Sequence, residues 1–317
     1  MVANTTDDAA GAVTGSDDAP FGRYEPSPFQ ARILRLTRRM PGTWLGRRSA
    51  MLLRRIALMT LRRPVDDVIY GRRMRLYPFN NVCEKRVLFT PQFFDPVERA
   101  ILSACATEDF VFIDIGANVG LYSLFVAGLA PRGQILAVEP QPDMFERLLY
   151  NIAQNDAGTI KALRCALADR EGELTLFVED QNRGESSIKF LGSEEGSGNA
   201  IKVPARTLLG VIREEGFARI DAIKIDVEGA EDLVMTEFLE EAPEELLPSL
   251  IIIENAQARW QVDLIGLMEK RGYHVIATTR LNLVLEKGIV HRPDELLQAV
   301  ARGGSDEYGK GALGRRP

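Results

Sequence analysis

Residues 111–124, VFIDIGANVGLYSL, pass from an apolar strand through a glycine turn into an apolar helix. Glycines at 116 and 120 permit positive backbone angles and a close approach of main chain to a ligand, and the helix that follows offers its first N–H groups to whatever sits there. A second apolar run, 134–138, ends in Glu139. Such a carboxylate, about twenty residues after the turn, stands where ribose hydroxyls need an acceptor. The chain therefore reads as an open, wound α/β sheet that holds a nucleotide-like cofactor at the carboxyl ends of its strands.

The sign of Asp114 selects the cofactor. A dinucleotide site brings pyrophosphate to a G-x-G-x-x-G turn, whereas this turn is Gly116, Ala117, Asn118, Val119, Gly120, with Asp114 at the strand end. A carboxylate repels phosphate and suits the sulfonium and ammonium of S-adenosylmethionine. Two rivals stand beside this reading: a nicotinamide oxidoreductase that binds NAD, and a non-catalytic module that binds the methyl donor and transfers nothing.

The chain has 317 residues, 45% of them hydrophobic, enough for one large core and an appendage. Cys83, Cys105 and Cys165 are far apart and form no C-x-x-C pair, so a reducing, cytoplasmic setting is expected and structural zinc is not. No run has the length of a membrane span, and the first residues lack the regions of a signal peptide. Residues 1–26 are expected to be disordered, 27–65 to form a basic amphipathic helical extension, 66–290 the catalytic domain and 291–317 a tail. Net charge is −6, yet thirteen arginines lie between Ser27 and Arg75 against only Asp66 and Asp67. On a helical wheel from Arg47 to Arg63, Leu52, Leu53 and Ile56 fall opposite Arg47, Arg54, Arg55 and Arg62. Either the apolar side packs on the catalytic domain, or the helix contacts an anionic membrane or acidic partner. Nucleic acid is not expected, because no aromatic platform accompanies the charge.

Along the chain, 68–77 reads as a hairpin, and Asp95 stands to cap a helix running to about Thr107. Strands at 111–115, 134–139 and 160–167 alternate with helices at 119–129 and 142–155. An extra strand at 172–178 precedes a flexible loop through Gly184, Ser186, Ser187 and Gly192 to Gly198. The second half offers a short helix from Thr207, a strand ending at Asp226 and Glu228, a strand ending at Glu254, a helix at 258–271 and strands at 273–279 and 282–287.

Three blocks, FIDIGANVGLYSLFVA at 112–127, AVEPQPDMFERLLYNIAQN at 137–155 and DAIKIDVEGAEDLVM at 221–235, resemble the FkbM family of S-adenosylmethionine-dependent methyltransferases. Weaker matches are RTLLG at 206–210, ENAQ at 254–257 and RGYHV at 271–275. The resemblance implies a Rossmann-like class I methyltransferase fold: seven strands, mostly parallel, with an antiparallel last strand. It implies methyl transfer to a hydroxyl of a sugar, glycolipid or natural product. Residue by residue, it assigns Asp114, Gly116, Asn118 and Gly120 to the methionine side, Glu139 to the ribose, Ala166 and Leu167 to the adenine wall, and Asp226 and Glu228 to the reaction edge. Members often carry an aspartate where this chain has Leu209, and a glutamate where it has Asp95.

Methyl transfer is an in-line displacement, so alignment and removal of the acceptor's proton are the protein's tasks. Asp226 or Glu228 is expected to orient or deprotonate the hydroxyl. No metal is assigned, although a variant places magnesium between Asp226, Glu228 and Glu254. His274 and His291 are expected at the sheet end away from the crevice. Lys224 either neutralises the carboxylates or packs its stem beneath them, packing being the preferred role.

Overall fold

A computed structural model describes residues 18–178, 186–189 and 199–288. Two helices, α1 (Pro28–Arg38) and α2 (Trp44–Thr60), precede a hairpin of β1 (Val65–Ile69) and β2 (Arg72–Leu76), then α3 (Val82–Phe89) and α4 (Pro96–Cys105). The wound portion follows as β3 (Val111–Ile115), α5 (Leu121–Leu129), β4 (Gln134–Val138), α6 (Pro142–Ala153) and β5 (Ile160–Leu163). A side sheet comprises β6 (Ala166–Leu167), β7 (Gly172–Val178), β8 (Ser186–Lys189) and β9 (Asn199–Arg206). The chain returns through α7 (Leu208–Glu214), β10 (Ala222–Ile225), α8 (Glu231–Glu241), β11 (Leu250–Glu254), α9 (Leu264–Lys270), β12 (Tyr273–Thr278) and β13 (Asn282–Lys287).

The main sheet has the order β12-β13-β11-β10-β3-β4-β5. β13 runs antiparallel to both β11 and β12, and the remaining pairs are parallel. This is the expected seven-stranded sheet with an antiparallel last strand. Side-chain alternation assigns each strand to two cores. Phe112, Ala222 and Ile252 join the core with α4 and α5, whereas Ile113, Ile223 and Ile251 join the core with α7, α8 and α9. α5 is buried from Leu121 to Ala127 because its outer side also meets β2 and α4, as an all-apolar helix requires.

Four sequence expectations change. The strand at 160–167 is two strands, because β6 leaves the main sheet and pairs with β9. Part of the expected loop, 186–189, is β8, paired with β7; residues 179–185 and 190–198 lie outside the described residues. The helix expected from 258 begins at Leu264, where the Asp263 side chain accepts the Gly266 N–H. Within the segment expected to be disordered, 18–26 is tied down: Asp66 accepts the N–H groups of Gly22 and Tyr24, and Tyr150 donates to the Ala19 carbonyl. The disorder expected at 1–17 and the tail at 291–317, including His291, lie outside the described residues.

Of two buried ion pairs among the described residues, one closes the β1–β2 hairpin and the other joins α3 to the wound portion. Arg75 donates to Asp66 at 2.7 Å, and Arg147 of α6 donates to Glu84 of α3 at 2.5 Å, both carboxyl and guanidinium groups being buried. Glu84 also accepts the Tyr77 N–H, and the Arg147 guanidinium lies 3.9 Å from the centre of the Tyr77 ring.

Candidate active site

The glycine turn is fixed by its neighbours. Gly116 and Ala117 both donate to the Val138 carbonyl, and Asn118 donates its N–H to Glu139 at 2.8 Å. Gly116, Asn118 and Gly120 have φ of 75°, 51° and 87°. A Cβ on Gly116 would lie 2.0 Å from the Asp226 carbonyl oxygen, and one on Gly120 would lie 2.6 Å from Leu148. The close approach that demands Gly116 is therefore to the end of β10. Gly116→Ala is expected to cost roughly 2 kcal/mol in urea unfolding, combining positive φ with a backbone collision. Unchanged stability would mean that β10 yields freely.

Asp114 and Glu139 stand side by side at adjacent strand ends but serve different partners. One Asp114 oxygen accepts from the Ser123 N–H at 3.0 Å and the Ser123 hydroxyl at 2.6 Å, which anchors α5. The other, Oδ1, is buried with no hydrogen-bond partner among the described residues. Burial raises the Asp114 pKa, against Lys224 and Ser123. Glu139 divides its oxygens between the N–H groups of Asn118 and Gln141, linking the two loops. Burial pushes it up to about 7, against those two donors, with Asp114 and Asp226 adding to the rise.

The sign of its pH effect follows. The fold favours protonated Glu139, so this contribution to stability is complete below about pH 4.5 and is lost as pH rises through about 7. Thermal scans of the unliganded protein should show a melting temperature that falls from pH ~5 to pH ~8, with a shallower fall in Glu139→Gln. Identical slopes would remove Glu139 as the cause.

Lys224 is the residue whose role the sequence understated. It lies opposite Asp114 in the β10–β3 register, is buried, and donates to Asp226 at 3.1 Å. Its ammonium is 5.1 Å from the centre of the Tyr122 ring. Burial works against its charge, but Asp226 and Asp114 outweigh it and raise the pKa. Neutralisation, rather than packing, is thus its main role. Asp95 joins the same group. It occupies the cap position of α4 with φ 41°, yet its side chain makes no cap bond and instead accepts the Tyr122 hydroxyl at 3.0 Å. Burial and Glu98 raise the Asp95 pKa, against Lys224.

At the reaction edge, the Asp226 side chain is 40% exposed and that of Glu228 is partly exposed. Glu228 adopts φ 57°, and Arg259 donates to its carbonyl at 3.0 Å and to the Glu254 carboxylate at 2.7 Å. The buried Glu231 closes this loop by accepting the N–H groups of Val227 and Gly229 and the indole N–H of Trp260. Burial, then Asp226 and Glu231, push Glu254 up to about 7 against Arg259. Among the described residues no group of three His, Cys, Asp or Glu side chains could hold a metal ion, and Glu254 Oε1 accepts from Arg259.

Other expected residues have partners of their own. Ala166 packs with Leu174 and Val203, and Leu167 belongs to the core with α7 and α8. The Asn118 amide oxygen accepts from Asn81 at 3.0 Å. Leu209 is buried in α7, and His274 stands at the start of β12, away from the carboxyl ends. Arg259 and Glu231 meet the site through contacts that no local pattern announces.

The family model for the methyltransferase FkbM domain matches residues 114–275, which spans the glycine turn, Glu139 and the edge at Asp226 and Glu228, and ends within β12. Methyltransferase sdnD of Sordaria araneosa is 34% identical over 192 residues, covering 51% of this chain and 73% of that protein. The 31-O-demethyl-FK506 methyltransferase FkbM of Streptomyces tacrolimicus is 30% identical over 40% of this chain and 58% of its own length. The 2-O-methyltransferase NoeI of Sinorhizobium fredii is 28% identical over 44% and 61%. From the strand that carries Asp114 to the start of β12, over half of its length, the chain belongs to the FkbM methyltransferase family.

Proposed function

We propose that the crevice binds S-adenosylmethionine and that the protein transfers its methyl group to a hydroxyl of a sugar, glycolipid or natural product. The observation that carries this reading is the convergence of Asp95, Asp114 and Asp226 around one ammonium, Lys224, with Glu139 beside Asp114 and Asp226. Such an excess of carboxylates suits a cationic ligand and repels a pyrophosphate. The unpartnered Asp114 Oδ1 supplies an acceptor for an ammonium or an ordered water, and Glu139 keeps lone pairs for a ribose diol.

S-adenosylmethionine supplies a methyl carbon already activated by sulfonium. The residues of this chain then have two tasks. Glu139, Asp114 and the turn at 116–120 hold the donor in line. Asp226, exposed at the edge and steadied by Lys224, accepts the hydrogen bond of the incoming hydroxyl and takes its proton as the carbon–oxygen bond forms. Glu228, held by Arg259, flanks the same entrance. The names of NoeI and FkbM specify oxygen methylation for those relatives, and AglP of Haloferax volcanii is named a hexuronic acid methyltransferase. A hydroxyl acceptor is in keeping with them.

Incubation with methyl-labelled S-adenosylmethionine and a panel of uronic acids, oligosaccharides and hydroxylated macrocycles tests the reading. Label is expected in an O-methyl ether. Label recovered on nitrogen or carbon, or hydride transfer from a nicotinamide cofactor in its place, would overturn it.

A further inference from the structure

The face that α2 turns outward is the reverse of the one its apolar pattern suggests. Gly46, Ala50 and Ala57 are buried, and Leu53 and Leu58 are partly covered. Leu45, Leu52 and Met59 are 69%, 62% and 71% exposed, and Ile56 is exposed with them. At helical spacing these four side chains occupy one arc of about 60° along the length of the helix. Arg48 and Arg55 border that arc, and Trp44 stands exposed at the helix start with the Arg48 guanidinium 4.8 Å from its ring centre.

α1 repeats the arrangement. Phe29 and Leu36, one heptad apart, are exposed while Ile33 and Leu34 are buried. The two helices form an antiparallel hairpin in which the Gln30 amide donates to the Thr60 hydroxyl at 3.3 Å. From Ser27 to Pro64 there are ten arginines and no aspartate or glutamate, in a chain whose net charge is −6.

We propose that this hairpin is a docking face for an anionic lipid surface. A stripe of large apolar side chains beside a stripe of arginines matches the acyl boundary and headgroup layer of a bilayer, and an exposed tryptophan belongs at that depth. Large apolar groups outside and small residues inside are the inverse of what burial alone would select. Two copies meeting through this face would bring arginines against arginines, which disfavours a homodimer there. No described helix is long and apolar enough to cross a membrane, so the contact lies in the interface plane. On the side opposite this face, α2 adjoins the border of the crevice. The Arg47 guanidinium lies 5.0 Å from the centre of the Phe93 ring, and the segment from Phe93 leads to Asp95, whose carboxylate accepts the Tyr122 hydroxyl.

The test is flotation of the full chain with vesicles of phosphatidylglycerol and phosphatidylcholine in equal parts, against phosphatidylcholine alone, with tryptophan emission recorded in parallel. The wild type should float with the anionic vesicles, its emission should shift to shorter wavelength, and Trp44→Phe should lose that shift. The triple variant Leu45→Ser, Leu52→Ser, Met59→Ser should bind at least about tenfold more weakly. Arg48→Gln with Arg55→Gln should weaken anionic binding by about tenfold or more. All these positions are exposed, so circular dichroism should be unchanged. Absence of flotation, equal flotation of the variants, retention by poly-glutamate but not by vesicles, or a dimer that the triple variant dissolves would each overturn the proposal. None of these readouts depends on the methyl donor, so its failure and that of the transferase reading are separable.

Discussion

Asp226→Asn should lower kcat by about 10²–10⁴-fold, the usual loss when a positioned proton acceptor is removed, with the affinity for S-adenosylmethionine little changed. Asparagine preserves the size of the side chain and its exposure at the end of β10, and it still provides an oxygen for Lys224. It removes the negative charge that, in the proposed mechanism, receives the acceptor's proton. Asp226 is the natural site for this loss because it is the more exposed of the two edge carboxylates, and its backbone N–H is fixed by the Ile115 carbonyl. Lys224→Met is the companion variant. It leaves Asp114, Asp95 and Asp226 without their shared counter-charge, so kcat should fall and the pH–rate profile should move, which a purely structural role would not produce. Full turnover in Asp226→Asn, measured with an acceptor found in the labelled screen, would exclude the proton-acceptor role.

Arg147→Met should destabilise the protein by roughly 3–5 kcal/mol, read by urea unfolding, because it leaves the Glu84 carboxylate buried and unpaired. The pair is fully enclosed, and Glu84 also terminates the Tyr77 backbone N–H. The lost guanidinium was also stacked on Tyr77, so packing is removed along with charge. Burial already raises the Glu84 pKa against Arg147, and removing the guanidinium leaves that burial unopposed by its charge. A loss below about 1 kcal/mol would place this pair among exposed, weakly contributing ones. The consequence for function is indirect but specific. α3 carries Glu84 and is capped by Asn81, whose amide donates to Asn118 in the turn, so loosening α3 should weaken ligand binding before it unfolds the sheet.

The elements that the sequence identified are those with strong local patterns. The run at 111–115, the turn and α5 were readable because strand, glycine and helix signals are contiguous, and the carboxylates at Glu139, Asp226 and Glu254 were readable because each closes an apolar run. The missed features depend on distant contacts. β6 and β9 form a side sheet from segments about forty residues apart, and a two-residue strand has no periodicity to detect. Asp114 looked like a free carboxylate until the fold brought Ser123 to it. Lys224 looked like a stem for packing until three aspartates gathered around its ammonium. The sequence leaves the outward face of α2 open between two readings because a helical wheel sends large apolar residues inward, whereas the interface here admits Gly46, Ala50 and Ala57.

Calorimetric titration of the protein with S-adenosylmethionine, beside Glu139→Ala and with NAD as the competing ligand, decides whether the crevice is a methyl-donor site. The expected result is saturable binding of the methyl donor by the wild type, loss of that binding in Glu139→Ala, and no heat with NAD. Binding that survives in Glu139→Ala, or a preference for NAD, would contradict the assignment of the crevice between β3, β4 and β10 as the donor site.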